Sequence, residues 1–315
     1  MNSSQPFNLL WFGDAIDLLA FMETQAHDDV ALCYVDPPFN VGGTFTARTT
    51  VGTMRGRTGR LGGEVAYRDS WGGLDRFLGN LRPFIEGVRR ILSDSGQFWL
   101  HLDYRAVHDA KVMCDQIFGR DSFMGEVVWV PGNGARGKRG LSVTHQSLLV
   151  YLKDPSQRPV WNDDHPLLRE PYAETSLKIH FRHVDEQGRR YRERVAGGKT
   201  YRYYADRGRR LGSVWNDVPA MNANTPLRKE GTGYPTQKPE KLLERIIRLT
   251  TKPGQLVLDP MCGSGTTLAV AGKLGRRFMG GDRGDVAFRV SRRRLTEANL
   301  SFRVLGAEER AGEQT

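Results

Sequence analysis

Cysteine is scarce in this sequence, with three residues among 315. Cys33, Cys114 and Cys262 stand far apart, which excludes a disulfide framework and a CxxC-type zinc site. No stretch approaches about 18 uninterrupted apolar residues, so we expect no membrane-spanning helix. The opening residues, MNSSQPFNLLWFGD, lack a basic stretch followed by an apolar core, so we expect no secretion signal. These absences favour a reducing, cytoplasmic compartment.

Acidic residues are the minority among the charged ones, with 36 Asp and Glu against 46 Lys and Arg and a net charge of +10. The excess is concentrated, because residues 131–230 hold 19 basic and 11 acidic side chains, hence +8. Residues 41–63 add four arginines and seven glycines without one acidic residue. Such segments favour a polyanionic partner. A merely solubilising surface charge is the alternative interpretation.

Short apolar runs that end in aspartate recur along the chain, and they predict buried strands. These runs span residues 9–14, 31–36, 98–103, 256–259 and 278–282. Residues 127–130 and 147–154 predict a hairpin. A helical spacing of apolar residues predicts helices over residues 74–92, 104–118, 239–251, 266–274 and 286–298. The alternation implies an α/β fold with a doubly wound, mostly parallel sheet, whose ligands bind at the carboxyl ends of the strands.

Two regions interrupt this alternation. Residues 41–67 are rich in Gly, Arg and Thr, and they predict a mobile loop directly after the second strand. Residues 155–230 mix arginines with aromatic side chains and show no regular strand–helix rhythm, so we expect an inserted recognition region.

A glycine-rich turn, LDPMCGSGTT, occupies residues 258–267 between a predicted strand and a predicted helix. Gly263 and Gly265 allow a ligand to approach the backbone, and the helix that follows offers free N–H groups. Asp282 ends the next strand, where an acid suits the two hydroxyls of a ribose. A Walker loop is excluded because no lysine follows until Lys273, and the dinucleotide fingerprint lacks its third glycine. The turn therefore favours a nucleoside without a pyrophosphate.

The residues Asp36-Pro37-Pro38-Phe39 form a rigid corner after the second predicted strand. Its prolines remove two N–H donors, so the corner presents hydrogen-bond acceptors only. Asp36 and the Pro37 carbonyl could accept both hydrogens of an exocyclic amino group, which would localise the nitrogen lone pair toward an electrophile. Phe39 offers a face for stacking a planar ring. A rigid start to a loop is the alternative interpretation.

These motifs together resemble a known family. DPPF, then YPTQKPEK at residues 234–241, then LDPMCGSGTT resemble, in this order, the β group of amino-group DNA methyltransferases, which use S-adenosylmethionine. The resemblance implies a circularly permuted methyltransferase sheet with an inserted target-recognition region. It divides the chain into a catalytic half (1–154), the target-recognition region (155–230), a cofactor-binding half (231–300) and a flexible tail (301–315). Tyr234 and Met261 stand where family members usually carry His and Phe.

The resemblance also implies a role for individual residues. Asp36, Pro37, Pro38 and Phe39 would hold a flipped target base. Thr236 and Lys238 would bind the cofactor carboxylate, Asp282 the ribose, and Asp14 would border the adenine. The implied cofactor-binding set is Asp14, Asp36, Thr236, Lys238, Asp259, Met261, Gly263, Ser264, Gly265, Thr266 and Asp282. The expected DNA-binding set is Arg48, Arg55, Arg57, Arg136, Lys138, Arg139, Arg189, Arg190, Arg209 and Arg210. His101 and Asp103 are predicted to support the site, and His180 and His183 to form a surface pair without a metal.

The expected function is transfer of a methyl group from S-adenosylmethionine to the N6 of adenine in a nucleotide flipped out of double-stranded DNA. Asp at the first position of DPPF favours adenine, since the cytosine N4 branch of the family more often has Ser there. An N4-cytosine methyltransferase and a catalytically idle DNA-binding homologue are the alternatives. The resemblance implies a homodimer and a cognate restriction endonuclease as possible partners, and the sequence does not give the recognition site.

Overall fold

The computed structural model describes residues 7–25, 29–39, 42–47, 63–132, 140–221 and 230–306. The chain divides into two compact units. The first comprises Met1–Val160 together with Val214–Thr315, and the second is Trp161–Ser213. Within the described ranges, no helix has both the length and the apolar composition needed to cross a membrane.

Strands and helices alternate over most of the first unit. The described strands are β1 (Leu9–Phe12), β2 (Val30–Val35), β3 (Gly43–Ala47), β4 (Glu64–Asp69), β5 (Leu92–Leu102), β6 (Phe123–Trp129), β7 (Gln146–Leu152), β8 (Arg169–Glu170), β9 (His183–Val184), β10 (Arg190–Ala196), β11 (Lys199–Tyr204), β12 (Arg209–Arg210), β13 (Val214–Trp215), β14 (Leu256–Asp259), β15 (Arg277–Asp282) and β16 (Arg303–Gly306). The described helices are α1 (Ala15–Thr24), α2 (Leu74–Ile91), α3 (Val107–Phe118), α4 (Glu174–His180), α5 (Glu240–Thr250), α6 (Thr266–Lys273) and α7 (Asp285–Glu297). Each strand and helix predicted from the aspartate-ended runs and the helical spacing is present.

The first unit is built on a sheet whose described strands follow the order β13-β6-β7-β5-β2-β14-β15-β1-β16. From β5 to β16 neighbouring strands are parallel, while β7 runs antiparallel to β5 and β6. The predicted α/β fold with a mostly parallel sheet and a β6–β7 hairpin is therefore confirmed. Parallel pairing of β2 with β14 sets Leu32 beside Val257 and Cys33 beside Leu258. Because the two strands run in the same direction, the residues that follow them meet at one edge of the sheet.

The core of this unit lies on both faces of the sheet. All six residues of β2 are buried, as expected for a central parallel strand. Helices α1, α2 and α3 pack beside one another, as do α5, α6 and α7. The apolar side of α2 buries Leu81, Ile85 and Val88, and each such side chain contributes about 1.5–3 kcal/mol to folding. The core thus fixes the strand ends on which the predicted site residues stand.

Two segments that were predicted to be a loop and a flexible tail contain β-strands. The prediction of a mobile loop over residues 41–67 is wrong where the chain forms β3 and β4. These two strands pair antiparallel, and the ring centroids of Phe45 and Tyr67 lie 4.9 Å apart. The Gly, Arg and Thr content concealed both strands, of which only β3 alternates, between half-buried and exposed positions. Residue 41 and residues 48–62 of that segment lie outside the described residues. Within the predicted flexible tail, Arg303–Gly306 forms β16, a parallel edge strand beside β1.

The second unit lies inside the predicted insertion and has its own small core. It holds a β9-β10-β11 antiparallel sheet, a β8–β12 pair and the helix α4. Phe181 is buried here, with its ring centroid 4.5 Å from that of Tyr172. This compact unit, Trp161–Ser213, falls within residues 155–230, and the predicted bounds of the insertion stay a prediction.

Candidate active site

A cavity of about 750 Å³ opens at the carboxyl ends of β2, β14 and β15, within the first unit. Its volume lies in the range of small-molecule sites, about 300–1,000 Å³. The structure brings nearly all of the predicted catalytic and cofactor residues to its walls. Those that line it are Asp14, Asp36, Pro37, Pro38, Phe39, Thr236, Lys238, Asp259, Met261, Gly263, Ser264, Thr266 and Asp282. Gly265 is the one predicted residue that does not line the cavity. It lies between Ser264 and Thr266 and is the N-cap residue of α6.

The corner that follows β2 is held by an ion pair. The Lys238 ammonium donates to Oδ2 of Asp36, and the two side chains are 10% and 19% exposed. Burial raises the pKa of Asp36, Asp69 raises it further, and Lys238 opposes both by favouring the carboxylate. The ammonium also lies 5.1 Å from the centroid of the Phe39 ring. Lys238, predicted to bind a cofactor carboxylate, therefore opposes the protonation of Asp36 that burial favours, and it flanks the stacking face.

Five carboxylates line this cavity, those of Asp14, Asp36, Asp69, Asp259 and Asp282, and they favour a positively charged ligand. Burial, together with the charges of Asp36 and Asp282, raises the pKa of Asp259 to about 7, although hydrogen bonds from Thr267 and Met261 favour its carboxylate. Burial likewise raises the pKa of Asp282. Backbone N–H groups of Gly284 and Gly263 donate to the two Asp282 oxygens at 2.8 and 3.1 Å. Since each negative charge opposes ionisation of the others, a positively charged ligand would relieve their repulsion.

The glycine turn after β14 depends on the absence of side chains. Gly263 and Gly265 have φ values of +50° and +70°, a region that favours glycine. A Cβ on Gly263 would lie 3.2 Å from the Tyr234 ring, and one on Gly265 would lie 2.8 Å from Oγ of Ser291. No side chain caps the start of α6, so its first N–H groups are available to an anionic group such as a carboxylate. The buried Arg294 steadies the turn by donating to Oγ1 of Thr266 at 2.8 Å.

The segment that delivers Lys238 is rigid. Gln237 is buried, accepts from the backbone and hydroxyl of Thr232 at 3.0 and 2.7 Å, and donates to the Glu230 carbonyl at 2.7 Å. Thr236 has a φ of +59°, a conformation in which a residue other than glycine is strained. Its hydroxyl lies 3.0 Å from the Tyr67 hydroxyl. The loop therefore holds a strained conformation beside the cavity, which is typical of functional segments.

The sequence did not predict the three stacked aromatic side chains, Phe45, Tyr67 and Tyr234, that form one wall of the cavity. Tyr67 on β4 stacks between Phe45 and Tyr234, with centroid distances of 4.9 and 6.3 Å, and it lines the cavity with them. Burial raises the pKa values of Tyr67 and Tyr234, which keeps both hydroxyls neutral. The short apolar run at residues 65–67 was the signal that could have found β4, but nothing in it indicates stacking partners.

The two residues predicted to support the site differ in placement. His101 is fully buried on β5, its Nδ1 lies 2.8 Å from the Tyr34 hydroxyl, and its ring centroid lies 6.0 Å from that of Phe39. Burial lowers the pKa of His101 well below its ordinary value, so the ring is neutral. Asp103 pairs with Arg105 at 2.6 Å, and neither His101 nor Asp103 lines the cavity.

Four of the ten predicted DNA-binding residues lie within the part of the chain that the structure describes. Arg48, Arg55, Arg57, Arg136, Lys138 and Arg139 lie outside the described residues. In the second unit, Arg189 pairs with Asp206 at 2.9 Å, Arg209 with Glu170 at 2.6 Å and Arg210 with Asp163 at 2.6 Å. Arg190 donates to the carbonyls of Leu177 and Phe181 at 2.8 and 3.0 Å. These four arginines are engaged in intramolecular bonds, so their DNA role stays a prediction. Among the described residues, no three His, Cys, Asp or Glu side chains form a group that could hold a metal.

Comparison with known proteins agrees with this geometry. A family model described as DNA methylase, of the N6/N4 type, matches residues 30–293. The type II methyltransferase M.EcaI of Enterobacter cloacae is 25% identical, with 88% of this chain and 66% of that protein covered. The DNA adenine methyltransferase YhdJ of Escherichia coli K12 is 26% identical, with 90% and 82% covered. The chain thus spans about two thirds of one relative and most of the other.

Two solved structures share the fold. The M1.HpyAVI–SAM complex superimposes with a TM-score of 0.53 at 17% identity, covering 91% of this chain and 98% of that one. The cytosine-N4-specific PvuII DNA methyltransferase gives a TM-score of 0.56 at 16% identity, covering 93% and 88%. At these identities the similarity concerns the fold alone.

Proposed function

Because this chain belongs to the N6/N4 DNA methylase family, we propose that it is a DNA methyltransferase that moves a methyl group from S-adenosylmethionine to the exocyclic N6 of adenine. The observation that carries the proposal is the shared cavity. It joins the acceptor corner after β2 to the glycine turn after β14, on neighbouring parallel strands. One pocket thus offers a place for a planar amino-bearing ring beside a place for a nucleoside.

The cofactor side of the cavity fits S-adenosylmethionine. Asp282 would accept the ribose hydroxyls, and the close approach at Gly263 leaves room that a Cβ would fill. The uncapped start of α6 would receive the carboxylate of the methionine part. Asp259 and its acidic neighbours would favour the positive charge of the ligand. When bound, this cofactor supplies an electrophilic methyl group on a sulfonium.

The base side of the cavity would activate the amino group. A target base must leave the duplex to enter such a pocket, and Phe39 offers it a stacking face. Lys238 fixes Oδ2 of Asp36, which leaves Oδ1 and the Pro37 carbonyl to accept the two amino hydrogens. Asp36 is also a base for the proton that the nitrogen must lose, since burial raises the pKa of its carboxyl. Loss of one preorganised hydrogen-bonding group, such as an oxyanion-hole donor, typically costs about 2.7–4 kcal/mol of transition-state stabilisation, and we expect a similar cost here.

Adenine is favoured over cytosine by the Asp at position 36, as in the N6 branch of the family. The relative YhdJ carries the name DNA adenine methyltransferase. Cytosine N4 is the second candidate, because the PvuII enzyme of the same fold is cytosine-N4-specific. Both amino groups donate two hydrogens, so the Asp36 corner suits either. A homodimer, a cognate endonuclease and a cytoplasmic location remain predictions from the sequence.

The test is methylation of duplex DNA of mixed sequence, and of genomic DNA from a host that expresses the protein. The DNA is digested to nucleosides for mass spectrometry. We expect N6-methyladenine with the wild type and a loss of about 100-fold or more with Asp36→Asn. Asp103→Asn is the matched control, because it removes another buried strand-end carboxylate that does not line the cavity. N4-methylcytosine would support the second candidate, and binding of cofactor and DNA without any methylated base would contradict both.

A further inference from the structure

The hairpin β10–β11 in the second unit has two chemically different faces. Cross-strand neighbours in an antiparallel pair point to the same face. The register pairs Arg192 with Tyr203, Arg194 with Tyr201 and Ala196 with Lys199. This face, which we call the basic face, therefore combines cations with tyrosines and contains no acid. The opposite face carries Tyr191, Glu193, Val195, Thr200, Arg202 and Tyr204.

The inner half of the basic face is packed and the outer half is open. The Arg192 guanidinium lies 5.3, 5.7 and 5.4 Å from the ring centroids of Tyr203, Tyr172 and Phe181. Further out, Arg194 and Lys199 are exposed and Tyr201 is 46% exposed. The outer half is thus a solvent-facing surface mounted on a rigid base.

The tip of the hairpin is narrow. Gly197 and Gly198 form the turn with φ values of +57° and +72°, and no atom lies within 4 Å of a Cβ built on either. These positive φ values are typical of the tight two-residue hairpin turn. Because no side chain widens the end, the ribbon is only about two strands across, with strands about 4.8 Å apart.

The charges of the outer basic face are uncompensated. On the opposite face Arg202 pairs with Glu193 at 3.0 Å, and beside the ribbon Arg189 pairs with Asp206. Arg194 and Lys199 pair with no acid among the residues that the structure describes. Two cations and an exposed tyrosine at the end of a slender ribbon are complementary to a polyanion that presents planar groups and a groove.

We propose that the β10–β11 ribbon docks duplex DNA in the major groove through Arg194, Lys199 and Tyr201. The inference rests on the proposed function, since it names the surface that meets the DNA substrate. A B-form major groove is about 12 Å wide and admits a two-stranded ribbon. The two cations contact phosphates at the groove edges, and the tyrosine contacts the sugars or base edges between them.

The test is DNA binding by the full chain, measured by fluorescence anisotropy across a series of salt concentrations. Each phosphate contact changes the slope of log K against log salt by about 0.9, which corresponds to about 8-fold in affinity at 0.1 M salt. Arg194→Gln with Lys199→Gln should therefore weaken binding by about 60-fold and flatten the slope by about 1.8. Exchanging the two cations, as Arg194→Lys with Lys199→Arg, keeps the charge and should retain the slope.

The matched control removes the same charge from the other side of the ribbon. Arg202 lies on the opposite face, and Arg207 lies 5.9 Å from the Tyr204 ring of that face. Arg202→Gln with Arg207→Gln should leave the slope near that of the wild type. Equal losses in both double variants, or wild-type binding by the Arg194 and Lys199 variant, would overturn the inference.

Two further measurements distinguish DNA binding by the β10–β11 ribbon from methyl transfer in the cavity. At saturating DNA the Arg194 and Lys199 variant should keep kcat while its KM for DNA rises. A wild type that binds DNA through the ribbon yet methylates no base would contradict the proposed function alone. Duplex RNA of equal length should bind more weakly, because its major groove is deep and narrow. RNA binding as tight as DNA binding, and as sensitive to the variant, would overturn the assignment to DNA.

Discussion

Ionisation of Asp259 should make the stability of the cofactor-free protein fall as the pH rises. Asp259 is 3% exposed, and burial raises its pKa from the ordinary 3.8 to about 7. A carboxyl whose folded-state pKa is raised adds stability that is fully present below about pH 3.8 and is lost as the pH passes 7. One pKa unit corresponds to about 1.36 kcal/mol, so the full loss is about 4 kcal/mol. Between pH 5 and pH 8 it is about 2.7 kcal/mol.

Asp259→Asn isolates this effect, because the amide keeps the size of the side chain and an acceptor oxygen but does not titrate. Urea unfolding at pH 5 and pH 8 gives the free energy of unfolding of both proteins. We expect the variant to gain about 2.7 kcal/mol on the wild type between the two pH values. Asp75→Asn, on the exposed side of α2, is the control and should follow the wild type at both.

A constant difference between wild type and Asp259→Asn across this range would refute the reasoning. It would mean that Asp259 is ionised in the folded protein at both pH values. The cavity would then hold its carboxylates without mutual cost, and the argument for a cationic ligand would lose its electrostatic support.

Two other substitutions test the corner and the turn. Lys238→Met removes the cation that lowers the pKa of Asp36, so the acidic limb of the pH–rate profile should move to higher pH, whereas Lys238→Arg should leave it near the wild-type position. Gly265→Ala places a methyl group 2.8 Å from Ser291 at a φ of +70°, and thermal or urea unfolding should show a loss of about 2–4 kcal/mol. Gly254→Ala, at a φ of +82° with open space around the Cβ, should lose only about 1–2 kcal/mol, and equal losses would exclude the clash with Ser291.

The strands and the motif-bearing turns could be predicted because their signals are local. Each apolar run that ends in Asp36, Asp259 or Asp282 is long enough to be buried and is closed by turn residues. Parallel topology then places these ends on one edge of the sheet. The residues near each motif were therefore sufficient to predict that Asp36, Asp259 and Asp282 lie close together at the site.

The partners of the site residues could not be predicted, because they depend on tertiary pairing. Lys238 meets Asp36 across 202 positions of sequence. Tyr67 enters the cavity through a hairpin whose composition resembles that of a loop. The arginines of the insertion show the same limit, since a count of charges does not reveal that Arg189 is paired while Arg194 is not.

One lysine accounts for the different behaviour of two similar aspartates. Asp36 and Asp259 end neighbouring parallel strands, and burial raises the pKa of both. Lys238 pairs with Asp36 and favours its carboxylate, whereas the pKa of Asp259 is raised to about 7. Methyl transfer to an amino group needs an ionised acceptor at one end of the cavity. It does not need a second full negative charge beside it before a cationic ligand arrives. Asp259 meets that condition, because its pKa of about 7 allows it to take up a proton near neutral pH.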